Sequence, residues 1–307
     1  MRIIITGATG LIGKALCKQL HTNYEIVALS RNPQRAQSSL GSNAKIVHWD
    51  SCSCGQWTQY IDGALAVINL AGDPIASGRW TPEKKQRILQ SRLNATKAIV
   101  DAIVSAKNKP HVLIQSSAIG YYGFEHQEAL DETSLPGEGF LADVCKQWEL
   151  QAKPVENAGT RCVIIRTGMV LSPDGGALPR LASPFKFFLG GYLGSGQQWV
   201  SWITIDDEVN AIKFLIENPR LSGAFNLTAP NPVKLKDLCR QIGRVLEKPC
   251  WLPIPALVLR LTFGKMTEET LMANQQVIPA RLMKAEFNFA HPNIAEALEC
   301  VIKKRIL

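Results

Sequence analysis

The chain has 307 residues, of which 46% are hydrophobic and 20% charged, a globular balance that excludes a largely disordered protein. Its net charge of +8 is dispersed and its aromatic residues form no stacking ladder, so no nucleic-acid partner is expected. No window approaches about 18 consecutive apolar residues, and the first strand begins at residue 2 with no room for a leader, so the expectation is a soluble, cytoplasmic protein without a membrane partner.

In chain order, Ile3-Ile4-Ile5 predicts a short buried strand over 2–6, followed by a helix from Gly10 to about Leu20. Between them lies "TGATGLIG", with Gly7, Gly10 and Gly13 spaced by three. A glycine turn between a strand and a helix lets the backbone approach a pyrophosphate, whose charge the free N–H groups of the helix start stabilise. Ile26-Val27-Ala28-Leu29 predicts the second strand, which ends at Ser30-Arg31-Asn32-Pro33. An Asp or Glu at that end would accept from a ribose 2′-hydroxyl and select NAD. Ser30 and Arg31 stand there instead, and a guanidinium pairs with a 2′-phosphate, so NADP(H) is favoured over NAD(H).

Further strands are predicted over 45–49, 64–70, 112–114 and 162–165, with helices over 81–106 and 139–158. Thr81-Pro82-Glu83 supplies an N-cap, a proline at the first helical position and an acid in the first turn. Short apolar strands alternating with amphipathic helices imply βαβ units, and hence a Rossmann-like, doubly wound parallel α/β sheet. Past residue 170 the texture turns to Gly, Pro and aromatics, as in a lid, and then to helical stretches at about 234–247, 255–263 and 268–274. The division expected is a nucleotide-binding domain over 1–170 and a lid with a smaller, mainly helical, substrate-side domain over 171–307, with some sheet strands interleaved between them. The eight cysteines are scattered, and Cys52-Ser53-Cys54 is the only close pair, so no metal site is expected.

The motifs "TGATGLIG", "VINLAG" (67–72), "SSAIGYYG" (116–123), "IRTGMVLSPDGG" (165–176) and "WITIDDEVNAI" (202–212) resemble, in the same order, those of the extended short-chain dehydrogenases/reductases. With "LGSGQQWVSWI" (193–203) and a C-terminal block over 250–298, the chain resembles an atypical branch, the epimerase family proteins with a C-terminal domain of unassigned function. The resemblance implies cofactor contacts from Gly7, Thr9, Gly10, Leu11, Ile12 and Gly13 of the turn, and from Ser30 and Arg31. It further implies contacts from Asn69 and Leu70 at the end of the fourth strand, from Arg92 and from Val170. Working members use a Ser and a Tyr-x-x-x-Lys pair, the tyrosine exchanging a proton with the substrate. Ser117 fits the serine, but the helix "GFLADVCKQWELQA" (139–152) has no tyrosine: Phe140 or Leu141 stands in its place, and Cys145 or Lys146 in that of the lysine. Tyr121 or Tyr122 is the replacement acid within reach in sequence, giving Ser117, Tyr121 and Lys146 as catalytic candidates. The function expected is an NADP(H)-dependent oxidoreductase or nucleotide-sugar-epimerase-like enzyme acting on a small molecule, as a monomer or homodimer. The second reading is an NADPH-binding sensor without turnover.

Overall fold

The computed structural model describes residues 1–257, 264 and 266–303. The N-terminal half runs β1 (Arg2–Thr6), α1 (Leu11–Leu20), β2 (Glu25–Ser30), α2 (Pro33–Leu40), β3 (Lys45–His48), β4 (Ala66–Asn69), α3 (Pro82–Ser105) and β5 (Val112–Ala118). It continues through β6 (Glu125–Leu130), α4 (Phe140–Ala152), α5 (Pro154–Asn157) and β7 (Arg161–Thr167). The predicted helix over 139–158 is broken into α4 and α5 because Pro154 cannot donate the N–H that would carry the first helix onward.

Seven strands form the parallel sheet, in the order β12-β7-β5-β4-β1-β2-β3, where β12 is Gly223–Leu227. The strand order reverses between β1 and β4, and a ligand crevice opens at such a point, outside the carboxyl ends of the strands. Strands buried on both faces must be apolar throughout, and Ile3, Ile4 and Ile5 are all fully buried. Alternate residues face two separate cores. Ile3 and Ile5 pack with α1 and with Val209, Ile212 and Leu215, whereas Ile4 packs with Ala95, Ile99 and Ile103 of α3.

The second half carries β8 (Met169–Ser172), β9 (Gly175–Gly176), α6 (Leu178–Ala182), β10 (Trp199–Val200), β11 (Trp202–Thr204) and α7 (Ile205–Glu217) ahead of β12. Strand β13 (Val233–Lys234), helix α8 (Leu235–Val245), strand β14 (Asn274–Val277) and two helices, Ala280–Lys284 and Ile294–Lys303, complete it. A third core around Leu171, Phe185, Trp202, Leu238 and Leu298 holds this part together. The helix predicted over 234–247 corresponds to α8. The stretch predicted as helix over 268–274 is instead a single π-helical turn, Thr267–Leu271, followed by β14, which pairs in parallel with β6 and so gives its backbone a partner that a helix end would not have. Of the helix predicted over 255–263, residues 258–263 lie outside the described residues.

Candidate functional site

At the switch point a cleft of about 430 Å³ is lined by Gly7, Thr9 and Gly10 of the glycine turn, Ser30 and Arg31 of the β2 end, Arg35 of α2, Trp49, and Leu70 to Pro74. That volume suits a small-molecule ligand. The glycines are needed for close approach rather than for a turn alone. Gly7 has φ +64°, and a Cβ there would stand 2.7 Å from the Leu70 carbonyl oxygen; one on Gly13 would stand 2.5 Å from the Gly7 carbonyl oxygen. Gly10, which lines the cleft, is the N-cap of α1; it supplies no side-chain cap, and the first turn of the helix carries no acid to neutralise its free N–H groups.

Ser30 fixes the β2 end. Its hydroxyl donates to the Asn32 carbonyl at 3.1 Å and accepts from the Asn32 N–H at 3.2 Å. Asn32 in turn caps α2, accepting from the Arg35 N–H at 3.0 Å, with Pro33 at the first helical position. Arg31 and Arg35 therefore leave the backbone one helical turn apart and both line the cleft. Among the described residues, no carboxylate pairs with either guanidinium. The one acid on the cleft wall among the described residues, Asp73, is neutralised by Lys84 Nζ at 2.6 Å.

The other candidate positions do not all reach this cleft. Asn69 is fully buried beneath it, its amide held by Thr6, Thr96 and Gln115 at 2.7–3.0 Å. The Thr6 hydroxyl meanwhile accepts from the N–H groups of Leu70 and Ala71, which sets the shape of the cleft wall. Arg92 lies behind Gly72. Its guanidinium donates to the carbonyls of Asp73 and Ile88 and lies over the Trp148 ring at 4.9 Å. Burial pushes it below its ordinary value. Leu11 packs under Gly175 and Gly176, Ile12 packs against the core, and Val170 pairs with Ile203 in the β8–β11 ladder.

Beyond the strand ends a second polar assembly forms around Ser117. Its hydroxyl donates to Glu149 Oε1 at 2.7 Å. Arg166 holds the same carboxylate in a two-pronged pair, Nε to Oε1 and Nη2 to Oε2, both at 2.9 Å. Burial alone would push the Arg166 guanidinium down, but the hydrogen bonds and charge of Glu149 outweigh it and hold Arg166 above its ordinary value. Arg166 Nη1 also donates to the Tyr122 hydroxyl at 3.0 Å, which donates onward to Asn226 Oδ1 at 2.7 Å. Tyr122 is completely buried, and burial pushes its phenol up to about 12. Tyr121 differs: it is half-buried, and its ring stacks on Arg166 with the guanidinium carbon 3.4 Å from the ring centroid. Lys146 points away from this group, paired with Asp143 at 2.7 Å on a partly exposed stretch of α4. Phe140 packs edge-on against Trp80 at 5.1 Å.

The buried Glu149–Arg166 pair and the surface Lys146–Asp143 pair predict opposite outcomes. Glu149→Ala strands a buried cation and is expected to cost about 3–5 kcal/mol in urea denaturation. Lys146→Ala is expected to stay within about 0.5 kcal/mol of the parent protein.

On the other face of β7, Thr167 donates to Glu208 Oε1 at 2.8 Å. The second oxygen, Oε2, is fully buried and has no hydrogen-bond partner among the described residues. Burial pushes this carboxyl up to about 8, with the Thr167 bond opposing.

Three positions of these two assemblies escape a reading of the sequence. Arg35 is signalled only by Asn32-Pro33, which places it in the first turn beside Arg31. Arg166 and Glu149 lie 17 residues apart, and no local spacing rule connects a strand residue to one on the preceding helix.

The chain resembles known proteins along almost its whole length. Residues 3–228 match the NAD dependent epimerase/dehydratase family, and residues 254–301 match a domain of unknown function, DUF1731. The epimerase family protein SDR39U1 homolog of Arabidopsis thaliana, described as chloroplastic, is 39% identical, the match covering 99% of this chain and 87% of that one. The epimerase family protein YfhF of Bacillus subtilis is 37% identical over 99% of both chains. Human SDR39U1 (isoform 2), solved with NADPH, superposes with a TM-score of 0.89 at 28% identity over 99% of each chain. UDP-glucuronic acid 4-epimerase of Bacillus cereus, at 18% identity and a TM-score of 0.80, shares the fold. The chain thus belongs to the NAD dependent epimerase/dehydratase family, is similar to the epimerase family proteins, and carries a DUF1731 match toward its C-terminal end.

Proposed function

We propose that the chain binds NADP(H) in the switch-point cleft and acts as an oxidoreductase or nucleotide-sugar-epimerase-like enzyme on a small molecule. The observation that carries the cofactor reading is the pair of guanidinium groups, Arg31 and Arg35, that line the cleft where an NAD-selective acid would stand. Two cations with no carboxylate partner among the described residues fit a 2′-phosphate, and the glycine cradle with the α1 N-terminus fits the pyrophosphate. The human relative solved with NADPH supports the same reading. Leu70 lines the cleft wall, Asn69 and Arg92 support that wall from behind, and Val170 belongs to the hairpin past β7.

The bound nicotinamide would supply or accept a hydride. What this chain then has to provide is a proton at the substrate oxygen. Tyr121 is the group we assign to that step, because the residue is only half-buried while Tyr122 is buried and bound to Asn226. The Glu149–Arg166 pair fixes the Tyr121 ring from below and holds the Ser117 hydroxyl. Lys146 would have to leave Asp143 to take the lysine's usual place against the ribose.

A carbonyl panel monitored by NADPH absorbance tests the catalytic part. With a responding substrate, Tyr121→Phe is expected to slow turnover by roughly 100-fold or more, and Ser117→Ala by less. Phe140 or Leu141, in the place of the family's tyrosine, favours the second reading of a sensor that holds NADPH without turnover. Tight binding with no NADPH consumption across the panel would select that reading.

A further inference from the structure

Two adjoining segments beside α8 present an apolar crest. Phe187, Phe188 and Leu189 are 72, 53 and 57% exposed, and Trp251 and Leu252 next to them are 64 and 42% exposed. The crest is built into the fold. The N–H groups of Trp251 and Leu252 both donate to the Gly190 carbonyl, at 2.9 and 3.0 Å, and Trp251 Nε1 donates to the Phe188 carbonyl at 2.8 Å. Gly191 lies so close to Leu252 that a Cβ would stand 1.7 Å from its carbonyl oxygen, so only glycine lets the segments meet. Exposed large apolar side chains grouped in this way mark an interaction surface.

The rim identifies the occupant. Lys186 immediately precedes the crest, and Lys248 Nζ lies 3.9 Å from the centre of the Phe188 ring. Arg240 and Lys236 of α8 lie close enough to Cys250, the residue before Trp251, to act on its thiol through their charge. In residues 183–192 and 235–257 the only acids are Asp237 and Glu247, and Asp237 pairs with Arg240 at 3.6 Å. A second copy docked by two-fold symmetry would place this cationic rim against itself. An anionic lipid surface meets both features: aromatic rings settle at headgroup depth, and lysine and arginine heads meet lipid phosphates. We propose that the crest docks the protein on anionic bilayers. No described helix is long and apolar enough to cross a membrane, so the contact is interfacial.

The test is co-sedimentation of the whole chain with phosphatidylcholine vesicles, with and without phosphatidylglycerol, at low and high salt. Binding is expected only with phosphatidylglycerol, and weaker in high salt. The triple variant Phe187→Ser/Phe188→Ser/Trp251→Ser keeps every charge and is expected to lose binding roughly tenfold or more, with a single cooperative melting transition as the check on folding, since the Trp251 bond to the Phe188 carbonyl is removed with it. The pair Lys186→Glu/Lys248→Glu is expected to lose it as well. Pelleting of the triple variant equal to that of the parent protein would reduce the effect to adsorption of a basic protein and overturn the proposal. So would the absence of lipid-dependent pelleting, or a dimer in sedimentation velocity that the triple variant abolishes.

Discussion

Replacing Arg31 and Arg35 together by alanine is expected to weaken NADPH binding by roughly 100-fold while changing NADH affinity by less than about threefold. Each guanidinium would make a charge-assisted contact to the 2′-phosphate, and such contacts are stronger than neutral ones. Both side chains are exposed, so solvent screening keeps the combined effect near the lower end of what two buried pairs would give. Arg31→Ala and Arg35→Ala singly are expected to give part of the loss each. Because the two share one ligand group, their effects need not add. Fluorescence titration of the four proteins with both nucleotides checks it. Equal losses for NADPH and NADH would mean that the arginines shape the pocket rather than read the phosphate.

The second large effect concerns stability. Glu208 is fully buried with one oxygen unpartnered, and its carboxyl is pushed from 4.5 up to about 8. Below pH 4.5 the group is protonated in both the folded and the unfolded chain, and its full contribution is present. As pH rises from there, the unfolded chain ionises while the folded chain keeps its proton, so stability falls until the folded group itself ionises near pH 8. A shift of this size corresponds to about 3–5 kcal/mol across the window. Glu208→Gln keeps the shape and removes the titration. It is expected to gain about 2–4 kcal/mol over the parent protein at pH 8.5, and to gain little at pH 4.5. Urea denaturation at both pH values checks this, and an equal gain at the two would show that Glu208 does not titrate in that window.

The parts of the fold that were legible in the sequence are those whose signals are local. Ile3-Ile4-Ile5 followed by glycines at a spacing of three marks β1, the turn and α1. Thr81-Pro82 marks the start of α3, where Thr81 Oγ1 does accept from the Lys84 N–H at 3.2 Å. The seven-stranded parallel sheet follows from the alternation of such elements. What escaped is decided by tertiary contacts. The stretch 268–274 contains Glu-Glu-Thr-Leu-Met-Ala-Asn, good helix formers in part, yet Asn274 begins a strand because the edge of β6 offers it a ladder. Strands β8 and β11 are only four and three residues long and sit in Gly- and Pro-rich surroundings, too short for periodicity to register. In the site, the glycine turn and Arg31 were legible because a fixed spacing ties them to β1 and β2. The Ser117–Glu149–Arg166–Tyr122–Asn226 chain was not, because it joins β5, α4, β7 and β12, which only the folded sheet brings side by side.

The decisive property of the cleft is its choice of nucleotide. Isothermal titration calorimetry of the unaltered protein with NADPH and NADH measures that choice directly. NADPH binding at least roughly tenfold tighter than NADH is the predicted result. Equal affinities, or tighter binding of NADH, would contradict it.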